Sequence, residues 1–472
     1  MSRRDGPSER VRDPQPLLRR LLPSGRGATE QPNVTSDGDT RLSPRFWVAV
    51  VLTGVATGLA GIAMMVVLTT AEHLAFGYHD DGVAQTLQRI GGSLDFQAAV
   101  EASSGTRRVV VLLLAGLIGG LAWYLLRRWT TGCSEVDEAL WNGDGRLAVR
   151  RSLGTSVISE VVIGMGASIG REAAPKLLGG VSGSVLAQQL GLTTAQRKLL
   201  VACGAGAGLA AVYNVPLGGA LFTAEILLGS LALPVVLPAL VCAFIATAVG
   251  WLYLPAVATY LDVPSFAFSA TIGVWSLFAG LVIGVLSAGY VRLIGWVAHH
   301  RARGLWGLGA PLVALGALGV LSLAYPQLLG NGKDMAHMVF VGNGTIGLLL
   351  VLGLLKPLAT AACLGSGASG GLFTPTMSTG AVLGGGLGLA WSELWPGSPV
   401  GAYAMIGAAA MIGASMQAPL AALVLVLELT HNGFELMVPM IAATAVATVV
   451  VRYIDGYSIY SARLPSRALD ES

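Results

Sequence analysis

The chain has 472 residues, of which 54% are hydrophobic and only 12% charged, with a mean hydropathy of +0.68. Soluble domains carry about 25% charged residues, so this composition excludes an ordinary soluble domain and predicts an all-α, polytopic membrane protein. The formal charge of +3 is informative only through its distribution, and four cysteines without metal-ligand spacing (Cys133, Cys203, Cys242, Cys363) argue against a zinc site or a structural disulfide.

Residues 1–45 are polar, rich in proline and arginine, and lack an apolar run. They read as a disordered tail and not as a cleaved signal peptide, which needs an apolar core. Nine arginines place this tail in the cytoplasm by the positive-inside rule. A first span is expected at 47–70, followed by an acidic stretch over 78–103 (Asp80, Asp81, Asp95, Glu101) on the outer side. The second, 108–126, returns to Arg127 and Arg128, with Arg146, Arg150 and Arg151 beyond it. Arg197–Lys198, Arg301 and Arg303 also fit cytoplasmic loops. Further spans are expected at 231–254, 271–292 and 434–451, while 346–364, 376–391 and 403–413 are shorter or broken by glycine. A short cytoplasmic tail, 466–472, is expected at the end, with no C-terminal regulatory domain. The 64 glycines suit helices that pack closely or are interrupted around a cavity.

Two blocks recur in order. GMGASIG (164–170) and GSGASGG (365–371) share G-x-G-A-S-x-G, with Pro175 and Pro375 shortly after. VPLGGALFTAEIL (215–227) parallels APLAALVLVLELT (418–430), each with a glutamate nine residues after its proline, Glu225 and Glu428. Offsets of 201 and 203 residues predict a duplicated membrane domain. Inverted duplication with discontinuous helices is the common arrangement around a central ion site. The repeats are expected over about 106–255 and 271–452.

Each glycine loop precedes a helix that begins near a proline. Backbone amides freed by glycine, and the partial positive charge of a helix N-terminus, make an anion site without a full charge in the membrane. Glu172, in GMGASIGREAAPK (164–176), could occupy such a site when ionised and leave it when protonated. The plainer alternative is a packing loop whose glutamate is paired with Arg171 or Lys176.

These residues resemble the CLC family of chloride channels and chloride/proton antiporters, over about 46–465. GREAAP (170–175) resembles the family's GREGP element, whose glutamate is the external gate, and GLFTP (371–375) resembles GxFxP. GAGAGLAAVYNVPLGGALFTAE (204–225), ASMQAPLAALVLVLELT (414–430) and GYSIYSARL (456–464) are similar to further family segments. The resemblance implies a homodimer in the cell membrane, with both termini cytoplasmic and one pore per subunit. Each pore would be gated by Glu172, with the anion held by the amides of Leu372 and Phe373 and by the Tyr460 hydroxyl. Gly170, Arg171, Gly371 and Pro375 would shape the path.

Three departures stand out. The family's inner GSGIP loop is matched by GCSEV (132–136), putting Cys133, or alternatively Ser134, where a serine would hold the anion; a thiol is the weaker donor. Ala174 replaces the proline of GREGP. Ile226 follows Glu225 where antiporters carry a second, proton-relaying glutamate, so an inner proton path would run through Glu225 or water, or coupling would be lost. Chloride/proton antiport is the expected function, an uncoupled chloride channel the alternative, and nitrate or fluoride selectivity a lesser one.

The six histidines cluster only as His299–His300, and neither H-E-x-x-H nor G-x-S-x-G occurs, so an enzyme is not expected. No cofactor, metal or nucleic acid is expected either; the partners would be chloride, protons, membrane lipid and a second copy. Among other charges, Lys356 is expected to snorkel to an interface, Asp137 and Glu138 to be solvated or interfacial, and Glu428 to serve packing or a helix end. Glu160 has no partner identifiable from sequence.

Overall fold

The computed structural model describes residues 43–77 and 94–464, and its regular elements are helices. All but the last three residues of the expected N-terminal tail, the stretch around Asp80 and Asp81, and the tail 466–472 lie outside the described residues. The first half comprises α1 (Pro44–Phe76), α2 (Leu94–Ala102), α3 (Gly105–Trp129), α4 (Val136–Trp141), α5 (Val149–Gly164), α6 (Ala173–Gln189), α7 (Thr194–Tyr213) and α8 (Pro216–Leu221). A π-helical turn (Phe222–Leu227) extends α8, and α9 (Leu233–Gly250) completes the half. The second comprises α10 (Ala270–His299), α11 (Trp306–Leu321), α12 (Lys333–Phe340), α13 (Ile346–Gly365), α14 (Phe373–Ser392), α15 (Val400–Met416), α16 (Pro419–Thr430) and α17 (Met437–Ile454).

Helices α1, α3, α9, α10, α13 and the segment Phe434–Ile454 are long and apolar enough to cross a membrane. The expected spans 47–70, 108–126, 271–292, 346–364 and 434–451 fall inside them, whereas 231–254 overruns α9 at both ends. Local chemistry sets their starts. Ser43, Ser104, Ser269 and Thr345 each accept a hydrogen bond from the amide three residues on, at 3.2–3.4 Å. Thr193 and Gln196 form a reciprocal capping box at α7. The 376–391 and 403–413 stretches lie instead in α14 and α15; every residue of α15 is buried, and α7 is nearly as enclosed.

Matched packing shows two structural repeats at work. Helices α6 and α7 cross at Gly179 and Gly204, and α14 and α15 cross at Gly380 and Gly407; a Cβ on any of the four would meet the facing backbone carbonyl. Small residues give membrane helices this close approach, where dispersion replaces the hydrophobic effect as the driving force. Likewise Gly54 and Gly58 seat α1 on α9, as Gly280 and Gly284 seat α10 on α17. That equivalence carries the correspondence upstream of residue 106 to α1. Asn214 and Gln417, which close α7 and α15, share the same left-handed φ of 57°.

The two glutamates of the Pro-Leu helices lock the repeats together. Glu225 accepts from the amides of Leu420 (3.2 Å) and Ala421 (2.6 Å) in the first turn of α16. Glu428 accepts from the amides of Leu217 (3.0 Å) and Gly218 (2.6 Å) in the first turn of α8. Each carboxylate thus satisfies amides that a helix N-terminus leaves unpaired, on the opposite repeat. Ile226, beside Glu225 on the π-helical turn, is buried in the core.

A candidate anion site where two helix ends meet

The two G-x-G-A-S-x-G loops run to one place. Gly166 and Gly367 hold equivalent positive φ angles of 104° and 107°, which a side chain would strain. The loops then pair backbone to backbone: the Gly170 amide donates to the Gly371 carbonyl at 2.8 Å, and the Gly371 amide to the Gly170 carbonyl at 2.7 Å. From this bridge α6 and α14 start, each with its proline as third residue (Pro175, Pro375). The Ala174 departure therefore leaves the two helix starts equivalent.

Neither helix has a side-chain cap from its own N-cap residue, Glu172 or Leu372. Instead the Glu172 side chain crosses to the other repeat. Its Oε1 accepts from the Phe373 amide at 2.7 Å, and its Oε2 from the hydroxyls of Thr374 (3.2 Å) and Tyr213 (3.3 Å). Those hydroxyls lie 2.7 Å apart, and the Tyr213 ring stands edge-on to Phe373. A Cβ on Gly170 or Gly371 would collide with the Glu172 carboxyl, so two glycines define the space it fills. A buried carboxylate is thereby seated on the open N-terminus of a 20-residue helix, as a small external anion could be.

The pairing of Glu172 with Arg171 or Lys176 does not form. The Arg171 guanidinium lies over the Tyr213 ring, 4.9 Å from its centre. Lys176 reaches Asp137, with Nζ 3.4 Å from both carboxylate oxygens, and its ammonium lies 4.9 Å above the Tyr460 ring. Asp137, expected to be solvated or interfacial, is instead buried by that pair, while Glu138 is exposed. Lys356 corrects a second expectation. It is fully buried in mid-α13, too far from either end to snorkel, and its Nζ donates to Ser168 Oγ (2.8 Å), Gly330 O (2.8 Å) and Leu328 O (3.3 Å). It pins the loop that carries Glu172.

Tyr460 is buried, its ring edge-on to Phe222 at 6.1 Å. Leu372 and Phe373 are buried as well. In the GCSEV loop the Cys133 thiol donates to Glu135 O at 3.3 Å, and Ser134 is partly buried. Burial, with the negative charges of Glu138 and Glu135, pushes that thiol up to about 12, so it stays a neutral S–H at physiological pH. Glu135 lies 3.6 Å from both Arg301 and Arg463. Burial alone would raise its carboxyl, but Arg463, Arg301, Lys176 and Arg127 hold it below its ordinary value.

Sequence reasoning missed Tyr213 and Thr374 as holders of Glu172. Thr374 lies within GLFTP, next to Phe373, and its place in that motif is the signal that could have found it. Tyr213 carried no comparable signal, because its role depends on α7 ending beside α14.

The voltage-gated chloride channel family profile matches residues 115–452. A voltage-gated ClC-type chloride channel ClcB of Salmonella typhi is 33% identical over 395 residues, covering 80% of this chain and 92% of that protein. An H(+)/Cl(-) exchange transporter ClcA of Yersinia pestis is 28% identical over 373 residues, covering 75% and 77%. Among solved structures, a slow cyanobacterial Cl-/H+ antiporter superposes with a TM-score of 0.73 at 22% identity, covering 89% of this chain and 97% of that one.

Proposed function

Because the chain belongs to the voltage-gated chloride channel family, we propose that it carries chloride across the membrane in exchange for protons, with Glu172 as both gate and proton carrier. The observation that carries this reading is the Glu172 carboxylate held on the Phe373 amide. Ionised, it competes with chloride for the α14 N-terminus. Protonated, it loses that attraction, swings away and leaves the amides of Leu372 and Phe373 to the anion. Inward of them the Tyr460 hydroxyl, on the ring over which the Lys176 ammonium lies, is the next donor. Cys133 and Ser134 are assigned to the inner mouth, where a neutral thiol offers a weaker contact than a hydroxyl. A relative named an exchange transporter supports the exchange, whereas one named a chloride channel supports chloride passage alone.

A homodimer with one pore per subunit belongs to the same reading. The ends of α8 and α16, their amides closed by Glu428 and Glu225, present the half-exposed Leu217 and Leu420 outward as an apolar face. Orientation follows from charge. Arg127 and Arg128 line a cavity with Tyr124, Gly304 and Gly307, beside the loop of Arg301 and Arg303, and this arginine-rich end is assigned to the cytoplasm.

The test is flux from purified protein in liposomes, recording chloride efflux and internal pH together under a chloride gradient. Uphill proton movement driven by chloride is expected. Chloride movement without protons would instead establish the uncoupled reading, which the buried Ile226 and the amide-bound Glu225 favour.

Gly371→Ala tests the seat itself. Its methyl enters the volume of the Glu172 carboxyl, and overpacking costs about 1–3 kcal/mol. Exchange at a fixed gradient should fall by about tenfold; a wild-type rate would mean that Glu172 does not return to this seat during turnover.

A further inference from the structure

The seat accounts for Glu172, but a second intramembrane carboxyl has no part in it. Glu160, on α5, is 1% exposed, and neither of its oxygens has a hydrogen-bond partner among the described residues. Buried polar groups are almost always satisfied, and a carboxylate left unpartnered in a dry interior is costly. Its surroundings are specific. The adjacent Ser159 donates to Ser369 O at 2.6 Å, fixing α5 against the loop that leads to Gly371. Gly164, one helical turn on, would carry a Cβ into the Leu68 carbonyl, the Ala71 side chain and the Glu72 amide, so α5 and α1 are in contact there.

The charges acting on Glu160 are those of Arg171, Glu172 and Glu72. Arg171 in turn senses both Glu72 and Glu160, and Glu72 also senses Asp334 and Lys333 of α12. Of the other helices packed on α5, α6 sends Lys176 to Asp137, from where its charge still acts on Glu172, and α3 turns its arginines elsewhere. Arg107 reaches the Ala75 carbonyl, Arg108 the Ser322 carbonyl and Arg127 the Gly367 carbonyl. Two carboxyls, Glu160 and Glu72, therefore share one guanidinium, and Glu72, the member on α1, is partly exposed.

We infer that Glu160 is a second proton-holding carboxyl that serves Glu172, with Glu72 as its outlet along α1. The inference rests on the exchange reading above. Neighbouring carboxyls do not ionise together freely. When the Glu172 carboxyl gives its proton to the Glu160 carboxylate, Glu172 becomes ionised and returns to the Phe373 amide, and Glu160 becomes neutral. Glu160 then passes the proton to the Glu72 carboxylate and is ready for the next. The proton thus leaves on the α1 side, off the anion's path, while its entry from the cytoplasm still runs past Ile226, through Glu225 or water.

The experiment compares wild type, Glu160→Gln, Glu160→Asp and Glu72→Gln in the same liposome assay across a range of pH. Glu160→Gln should lower proton movement per chloride by about tenfold or more, Glu160→Asp should retain most of it, and Glu72→Gln should lower it too. Unchanged proton coupling in Glu160→Gln overturns the relay, and equal loss of chloride and proton flux overturns it in favour of a packing role. If Glu160→Gln does not assemble, Glu72→Gln decides alone, and unchanged coupling there overturns the relay. Wild-type protein that moves chloride without protons removes the exchange reading and the relay with it, an outcome distinct from a coupled wild type beside a coupled Glu160→Gln.

Discussion

Glu172→Gln is expected to abolish uphill proton transport and to leave a chloride flux that no longer responds to pH. The glutamine keeps the size of the side chain but can neither ionise nor release a proton. Its amide oxygen can still accept from the Phe373 amide, now without the charge that makes the carboxylate a rival to chloride at the helix end. Hydrogen bonds to a charged acceptor are worth about 1.5–3 kcal/mol against about 1 kcal/mol for neutral ones, so the side chain should yield the seat more readily. Simultaneous chloride and pH recording measures both effects. Proton pumping that survives at wild-type level would place the proton carrier elsewhere.

Lys356→Met is expected to produce the largest loss of stability. The substitution keeps most of the length and volume of the side chain but removes every donor. Two carbonyls, Gly330 and Leu328, and the Ser168 hydroxyl lose their shared partner in a fully buried position. Each group left unsatisfied costs about 1–3 kcal/mol, so a total of roughly 3 kcal/mol or more is expected. The thermal midpoint in detergent should fall clearly, and chloride affinity with it, because Ser168 belongs to the loop that positions Glu172. An unchanged midpoint would mean that the ammonium is not the tie holding that loop.

Much of this architecture was legible in the chain because duplication leaves a written trace. The shared G-x-G-A-S-x-G loops pointed to the Gly170–Gly371 meeting point, and the matched glutamates at 225 and 428 pointed to an equivalence that the crossed hydrogen bonds realise. Contacts between unlike parts of the repeats left no such trace. Lys356 and Asp137 read as boundary charges, since an apolar context says nothing about which carbonyl or ammonium comes within 3.4 Å after folding. Helix α1 falls outside the first repeat as read from the sequence for a similar reason. Its Gly54 and Gly58 match Gly280 and Gly284 in packing, but the surrounding residues do not match in kind.

The crossed glutamate caps bear on how the chain is made. During synthesis the first half leaves the ribosome with the amides of Leu217 and Gly218 still waiting for Glu428, more than 200 residues away. The Glu225 carboxylate likewise waits for α16. Half a protein in the bilayer would therefore hold an open helix end and an unplaced charge, a combination that membrane quality control can detect. Completion of α16 closes both at once, so maturation should be abrupt, and two half-chains produced separately should be short-lived alone yet rescue each other when made together.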